Sequence, residues 1–189
     1  VVPSDYVHLH NHTHYSLLDG LQKVEPMLDY VKAAGMDAIA MTDHGTLSGV
    51  VEFYKAAKAR DIKPIIGMET YVAARSHLDK EAGKDKPNFH LNLLAMNNTG
   101  YQNLMRLSTT ANLDGFYYKP RTNHDSLKKW GKGIIASSAC FTKGQLVDTP
   151  CGFVPIEVAT KNSVITHFGN TENIVHPTSR KYSGILKTI

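Results

Sequence analysis

"DAIAMTDHGTLSGVVEFYKAAKARDIKPIIGMETYV", residues 37–72, decides the fold. A short apolar run, DAIAM, ends in the polar residues Thr42, Asp43 and His44. The segment TLSGVVEFYKAAKARD then repeats apolar residues at Val50, Tyr54 and Ala57, the spacing of one helical face. A second apolar run, IKPIIGMETYVAA, carries Glu69 and Thr70. Strand, helix and strand with short connections predict a mostly parallel α/β sheet or barrel.

The same rhythm extends outward. Upstream, YVHLH is β-branched and aromatic enough for a strand, and LLDG is turn-like. KVEPMLDYVKAAGMD then places Met27, Val31 and Ala34 on one helical face, with Gly35 as a C-cap. Downstream, the charged RSHLDKEAGKDKPN predicts a solvated loop, FHLNLLAMN a strand, and TGYQNLMRLSTTANL a helix opened by Thr99. DGFYYKPRTNHDSLKKWGK predicts a loop with a short helix, and GIIASSAC one more strand. Polar clusters follow the apolar runs, so His12, His44 and Glu69 are expected at the carboxyl ends of strands, where α/β barrels place their sites. From Cys140 the texture changes to short β-type runs rich in turn residues, which predicts a boundary at Ala139/Cys140 and two domains, 1–139 and 140–189.

Composition narrows the function classes. In 189 residues, 42% hydrophobic and 20% charged content is that of a soluble globular chain. The net charge of +4 is spread among interleaved acids and bases, which suits an anionic substrate better than a DNA-wrapping surface. Both cysteines, Cys140 and Cys151, lie late in the chain, so no disulfide framework is implied and a cytoplasmic setting is expected. No apolar run approaches the ~20 residues of a membrane span, and no membrane partner is expected. The chain starts at Val1 rather than Met, as processing or a truncated reading frame would produce.

Histidine carries the chemistry. Ten are present, and His8, His10, His12 and His14 alternate in YVHLHNHTHYS. In an extended chain they share a face, but at ~3.3 Å per residue His8 and His14 stand ~20 Å apart, too far for one ion. An adjacent pair can converge on a metal; spacing alone does not say which pair. Asp43 and His44 in TDHG, Glu69 in GMET and His90 in NFHLNLL add donors at successive strands. Neutral imidazoles with a bridging carboxylate are what a cluster of two or three divalent ions needs, and such a cluster supports phosphoester hydrolysis.

Four stretches, HLHNHTHYSLLDG, MTDHGTLSGVVEFYKAAKARDIKPIIGMETYV, HLNLLAMNNTGYQNLMRLST and GFYYKPR, together resemble the amino-terminal PHP (polymerase and histidinol phosphatase) domain of bacterial replicative polymerase alpha subunits. The resemblance covers about Ser4 to Ala139. It implies an incomplete, distorted (β/α)7 barrel binding up to three divalent ions (Zn, Mn or Mg), with 3′–5′ exonuclease activity in some members. It implies His10 and His12 as the ligand pair, His44 and His90 as further ligands, Glu69 as the bridging carboxylate and Asp19 as another ligand. His8 and His14 fall outside the pattern, and Asp43 is expected to orient a ligand imidazole. Implied partners are DNA, the sliding clamp and the proofreading subunit.

The tail departs from that pattern. After GIIASSAC, the stretches GQLVDTPCGFVPIE and SVITHFG resemble the first conserved block of an intein of the self-splicing HINT type. That resemblance implies Cys140 as the splicing nucleophile, attacking the carbonyl of Ala139, and a carboxyl-terminal intein fragment as a further partner. Cys151 is expected to be structural filler. Neither the TxxH block nor a terminal His-Asn pair follows Cys140, and the family's late Asp-x-His ligand motif is absent. The chain alone is therefore expected neither to polymerise DNA nor to hold a full metal cluster. A stand-alone phosphoesterase and a PHP scaffold without catalysis are the alternatives.

Overall fold

Helix α1 (Val24–Ala33) forms because Val24, Met27, Leu28 and Val31 recur on one face, all four buried. It ends where Gly35 takes φ +72°, a conformation glycine adopts without cost. Gly35 N–H then donates to Lys32 O and Met36 N–H to Val31 O, closing the last turn. The structure is a computed structural model describing residues 6–17 and 19–138, together with four short strands in the tail.

The chain continues through β1 (Ala38–Met41), α2 (Val50–Ala59), β2 (Lys63–Ala73), β3 (Asn88–Ala95), α3 (Asn98–Leu113), β4 (Arg121–Thr122), α4 (His124–Trp130) and β5 (Ile134–Ser138). Strand β2 is the pivot. Its first residues pair with β1 in parallel, Ala38 opposite Lys63 and Met41 opposite Ile66. Its second half pairs antiparallel with β3 and, through Tyr71 and Val72, in parallel with β4. The open sheet runs β1-β2-β3-β5, with β4 beside β2. Two apolar clusters flank it. One gathers Val24, Leu28, Ile39, Met41 and Phe53 from α1, β1 and α2, with Ile62 just before β2; the other gathers Met68, Leu93, Leu104 and Leu107 from β2, β3 and α3.

The sheet is mixed rather than mostly parallel. Residues 74–87, between β2 and β3, contain turns and bends but no helix. A parallel return needs a long crossover, most often helical, so β3 comes back antiparallel. Other local expectations shift too. Tyr6–His10 forms no full strand; it lies extended along β1 through a single bridge, His8 to Ile39. Tyr54 is half exposed, and α2 buries Val50, Phe53, Ala56 and Ala57 instead. Asn97, not Thr99, caps α3, its side-chain oxygen accepting from Gly100 N at 3.0 Å. The charged loop after β2 is organised rather than merely solvated: Asp85 is buried and holds Arg75 through two bonds of 2.8 and 2.6 Å.

The chain divides by contact into two compact units, Val1–Ala139 and Cys140–Ile189. In the second, β6 (Leu146–Thr149) pairs antiparallel with β7 (Gly152–Pro155), and β8 (Ser163–Ile165) with β9 (Thr171–Asn173). Cys140, Cys151 and the 139/140 junction lie outside the described residues. Among the described residues no helix is long and apolar enough to cross a membrane.

Candidate metal centre

The site is built where β1 ends and β2 runs on. Backbone pairing carries past Met41 as an isolated parallel bridge between His44 and Glu69, with Glu69 N–H donating to Asp43 O and Gly45 N–H to Glu69 O. Glu69 therefore sits mid-strand in β2 yet just beyond the carboxyl end of β1. Because β3 is antiparallel, its early residue His90 reaches the same place, next to Tyr71 in register.

Residues 8–13 are stitched across the end of β1. Ala40 N–H donates to His8 O and Thr42 N–H to Asn11 O, while the Asn11 amide donates to the carbonyls of His8 and Ala40. This extended course keeps the alternation of the sequence, so His10 and His12 face one way and Thr13 turns inward. Thr13 donates to the fully buried Asp43 carboxylate from both its backbone N–H and its hydroxyl, at 2.6 and 2.8 Å.

Four imidazoles surround the Glu69 carboxylate. His10 Nε2 lies 2.7 Å and His12 Nε2 2.9 Å from Oε2, and His90 Nδ1 contacts Oε1. His44 Nδ1 stands 3.6 Å from Oε2 and, although buried, has no hydrogen-bond partner. Its other nitrogen meets Asp19 Oδ2 at 2.9 Å. The rings also pack: His12 stacks on His44 at 4.0 Å between centroids, and Tyr71 lies beside both His44 and His90.

The donors form two groups of three that share Glu69: His10, His12 and Glu69, and His44, Glu69 and His90. Asp19 joins neither group and touches the site through His44. His8 and His14 also stand outside both; His8 packs edge-on against Tyr6, and His14 against Tyr15. Asp43 reaches the imidazoles indirectly. Its carboxylate accepts from Ser16 Oγ at 2.6 Å, and Ser16 Oγ lies 3.4 Å from His12 Nδ1 while accepting from His44 N–H. Ser16, Thr13 and Tyr71 belong to the surroundings of the site without having been singled out from sequence. A hydroxyl before a turn or an aromatic ring in a strand has many ordinary uses, so no sequence signal singled them out.

The charges match a cation. Burial alone would push the Glu69 carboxyl up, but hydrogen bonds from His10, His12 and His90 outweigh it and hold the group well below the usual carboxylate range. Burial, reinforced by the nearby His12, pushes His44 down and favours its neutral, coordinating form. For His12 burial acts against protonation, yet its bond to Glu69 and the surrounding carboxylates raise it. The donor set fits divalent ions on these grounds: an ionised carboxylate between imidazoles and a buried imidazole nitrogen with nothing to bond.

An α/β domain carrying a shared-carboxylate histidine cluster at a strand end is the class that fold and site define. The family model for the PHP domain matches residues 8–149, and the chain belongs to that family. The match runs into β6, past the boundary expected at 139/140. The chain is also 52% identical over 139 residues to the DNA polymerase III subunit alpha of Thermus aquaticus, covering 71% of this chain and 11% of that protein. It is 49% identical over 142 residues to the subunit of the same name from Aquifex aeolicus, covering 72% and 12%. For that of Borreliella burgdorferi it is 48% over 138 residues, again 72% and 12%. The chain thus spans about a tenth of the length of these curated relatives. Among solved structures, an amidohydrolase from Chromobacterium violaceum superposes with a TM-score of 0.41 at 24% identity, covering 56% of this chain and 32% of that one.

Proposed function

We propose that this chain is an amino-terminal portion of a bacterial DNA polymerase III alpha subunit whose histidine cluster is a divalent-metal phosphoesterase centre. The observation that carries the reading is Glu69: one buried carboxylate within reach of four imidazoles, dividing them into two three-donor groups. His10, His12, His44, Glu69 and His90 would hold the ions, with Asp19 close enough to His44 to join when an ion is present. A bound ion would supply Lewis acidity toward a phosphoryl oxygen and activate water for attack at phosphorus. Asp43 positions His12 and the turn before His44 through Ser16. Zn, Mn and Mg remain the candidate ions, since imidazole with carboxylate suits the first two and carboxylate the last. DNA, the sliding clamp and the proofreading subunit are the partners that this reading carries, in the cytoplasm.

The second unit belongs to the same proposal as the opening of an intein, with Cys140 as nucleophile toward the Ala139 carbonyl; support comes from the residue pattern of the tail. Thiol-induced cleavage after Ala139 in this chain, absent in C140A, would support it, and an uncleaved chain under both conditions would sink it.

Metal retention tests the first unit. After dialysis against Zn or Mn, elemental analysis is expected to find fewer than two ions tightly held per chain, as the missing Asp-x-His motif implies, and E69Q is expected to retain less than the parent because both groups lose their shared anionic donor. A chain that binds none, with E69Q indistinguishable, overturns the reading.

A further inference from the structure

Beside the metal centre, the turn from Phe116 to Lys119 presents aromatic rings and cations that no role in the cluster accounts for. Phe116 is 52% and Tyr118 65% exposed, unusual for neighbouring large rings on one turn. Tyr118 holds φ +60°, a left-handed conformation that is unfavourable for a tyrosine and persists only where its surroundings impose it. They do so from beneath. Tyr117 packs edge-on against Tyr118 at 4.7 Å and lies under the guanidinium of the fully buried Arg121. Arg121 in turn donates to the carbonyls of Gly115, His77, Asp79 and Asp85. Two ammonium groups complete the turn: Lys86 Nζ lies 5.5 Å from the Tyr118 ring and Lys119 Nζ 5.3 Å from the ring of Tyr71.

The turn is continuous with the centre. Tyr71, under Lys119, lies beside His44 and His90. Pro120 packs so closely on Gly45, the residue after His44, that a Cβ there would meet its ring at 2.6 Å. Two exposed rings, Phe116 and Tyr118, with the ammonium groups of Lys86 and Lys119 beside them match a ligand that carries flat bases and a regular series of negative charges. An isolated phosphate would need the lysines and not the rings.

We infer that Phe116–Lys119 is a stacking ledge for the bases of a single-stranded nucleic acid whose phosphodiester enters the Glu69 cluster. The location of that phosphodiester rests on the phosphoesterase reading, but the ledge can be tested without metal. In EDTA, fluorescence anisotropy would compare a labelled short oligothymidylate with an abasic oligomer of equal length and charge, using the full chain. The oligothymidylate is expected to bind at least about fivefold more tightly. F116S and Y118G are expected to erase that preference, Y118W to keep it, and K119Q to weaken both oligomers alike with a shallower salt dependence. Tyr118 is exposed and glycine tolerates its φ, so Y118G should melt as the parent does. Equal binding of both oligomers by the parent chain, no binding of either, or an unchanged preference in F116S/Y118G overturns the ledge. Metal retention is measured separately, so its failure and the ledge's failure are told apart.

Discussion

Ser16 links the two halves of the histidine cluster with one hydroxyl. It donates to Asp43, accepts from His44 N–H and stands beside His12 Nδ1. Removing it takes one of two donors from Asp43 Oδ1, deprives His44 N–H of its acceptor and loosens His12, while Thr13 still bonds both carboxylate oxygens of Asp43. S16A is therefore expected to fold but to bind metal about tenfold more weakly, the usual effect of losing a group that orients a ligand; competition against a chromogenic chelator measures it. At this scale His10, His12, His44, Glu69 and His90 were assigned as donors only through the family resemblance, because spacing alone leaves the histidine pair open. Ser16 and Thr13 were not legible in sequence, because their partners are 27 and 30 residues away along the chain.

Among the elements, the loop after β2 and the strand β4 stabilise one another through Arg121 and Asp85. Arg121 gives hydrogen bonds to four backbone carbonyls in a site with no solvent access. R121M would leave those carbonyls buried and unpaired, so urea unfolding is expected to show a loss of about 3 kcal/mol. Asp85 supplies a pH signature. Its bonds from Arg75, ahead of the opposing effect of burial, hold its carboxyl below the ordinary value of 3.8. A depressed carboxyl stabilises the fold above its unfolded value, and that contribution is lost as pH falls through the folded value. The stability gap between the parent chain and D85N should therefore be full at neutral pH and close below about pH 3.8. At the start of α3, N97A should cost about 1 kcal/mol, with N97D restoring most of it. The capped helix was expected, but its cap was placed two residues late, since Thr99 and Asn97 are both good capping residues and only the backbone turn chooses between them.

For the whole molecule, the division at Ala139/Cys140 implies that the first unit carries its own core and both candidate metal-binding groups. A chain cut to residues 1–138 is expected to retain metal within about twofold of the full chain and to melt cooperatively. Loss of both would mean that the tail completes the family domain, as the match reaching residue 149 allows.

The sequence by itself determined most of the local elements and which side chains are candidate metal donors. Helical periodicity located α1 and its buried face, and imidazoles with a carboxylate offer donors to a cation wherever the chain gathers them. Only the tertiary structure decided that β3 turns back antiparallel and delivers His90 from its amino-terminal half. It also decided that Glu69 lies mid-strand beyond the end of β1, and that Asp43 acts through Ser16. Each of these depends on which strand lies beside which, a pairing between residues distant in the chain that no local spacing encodes.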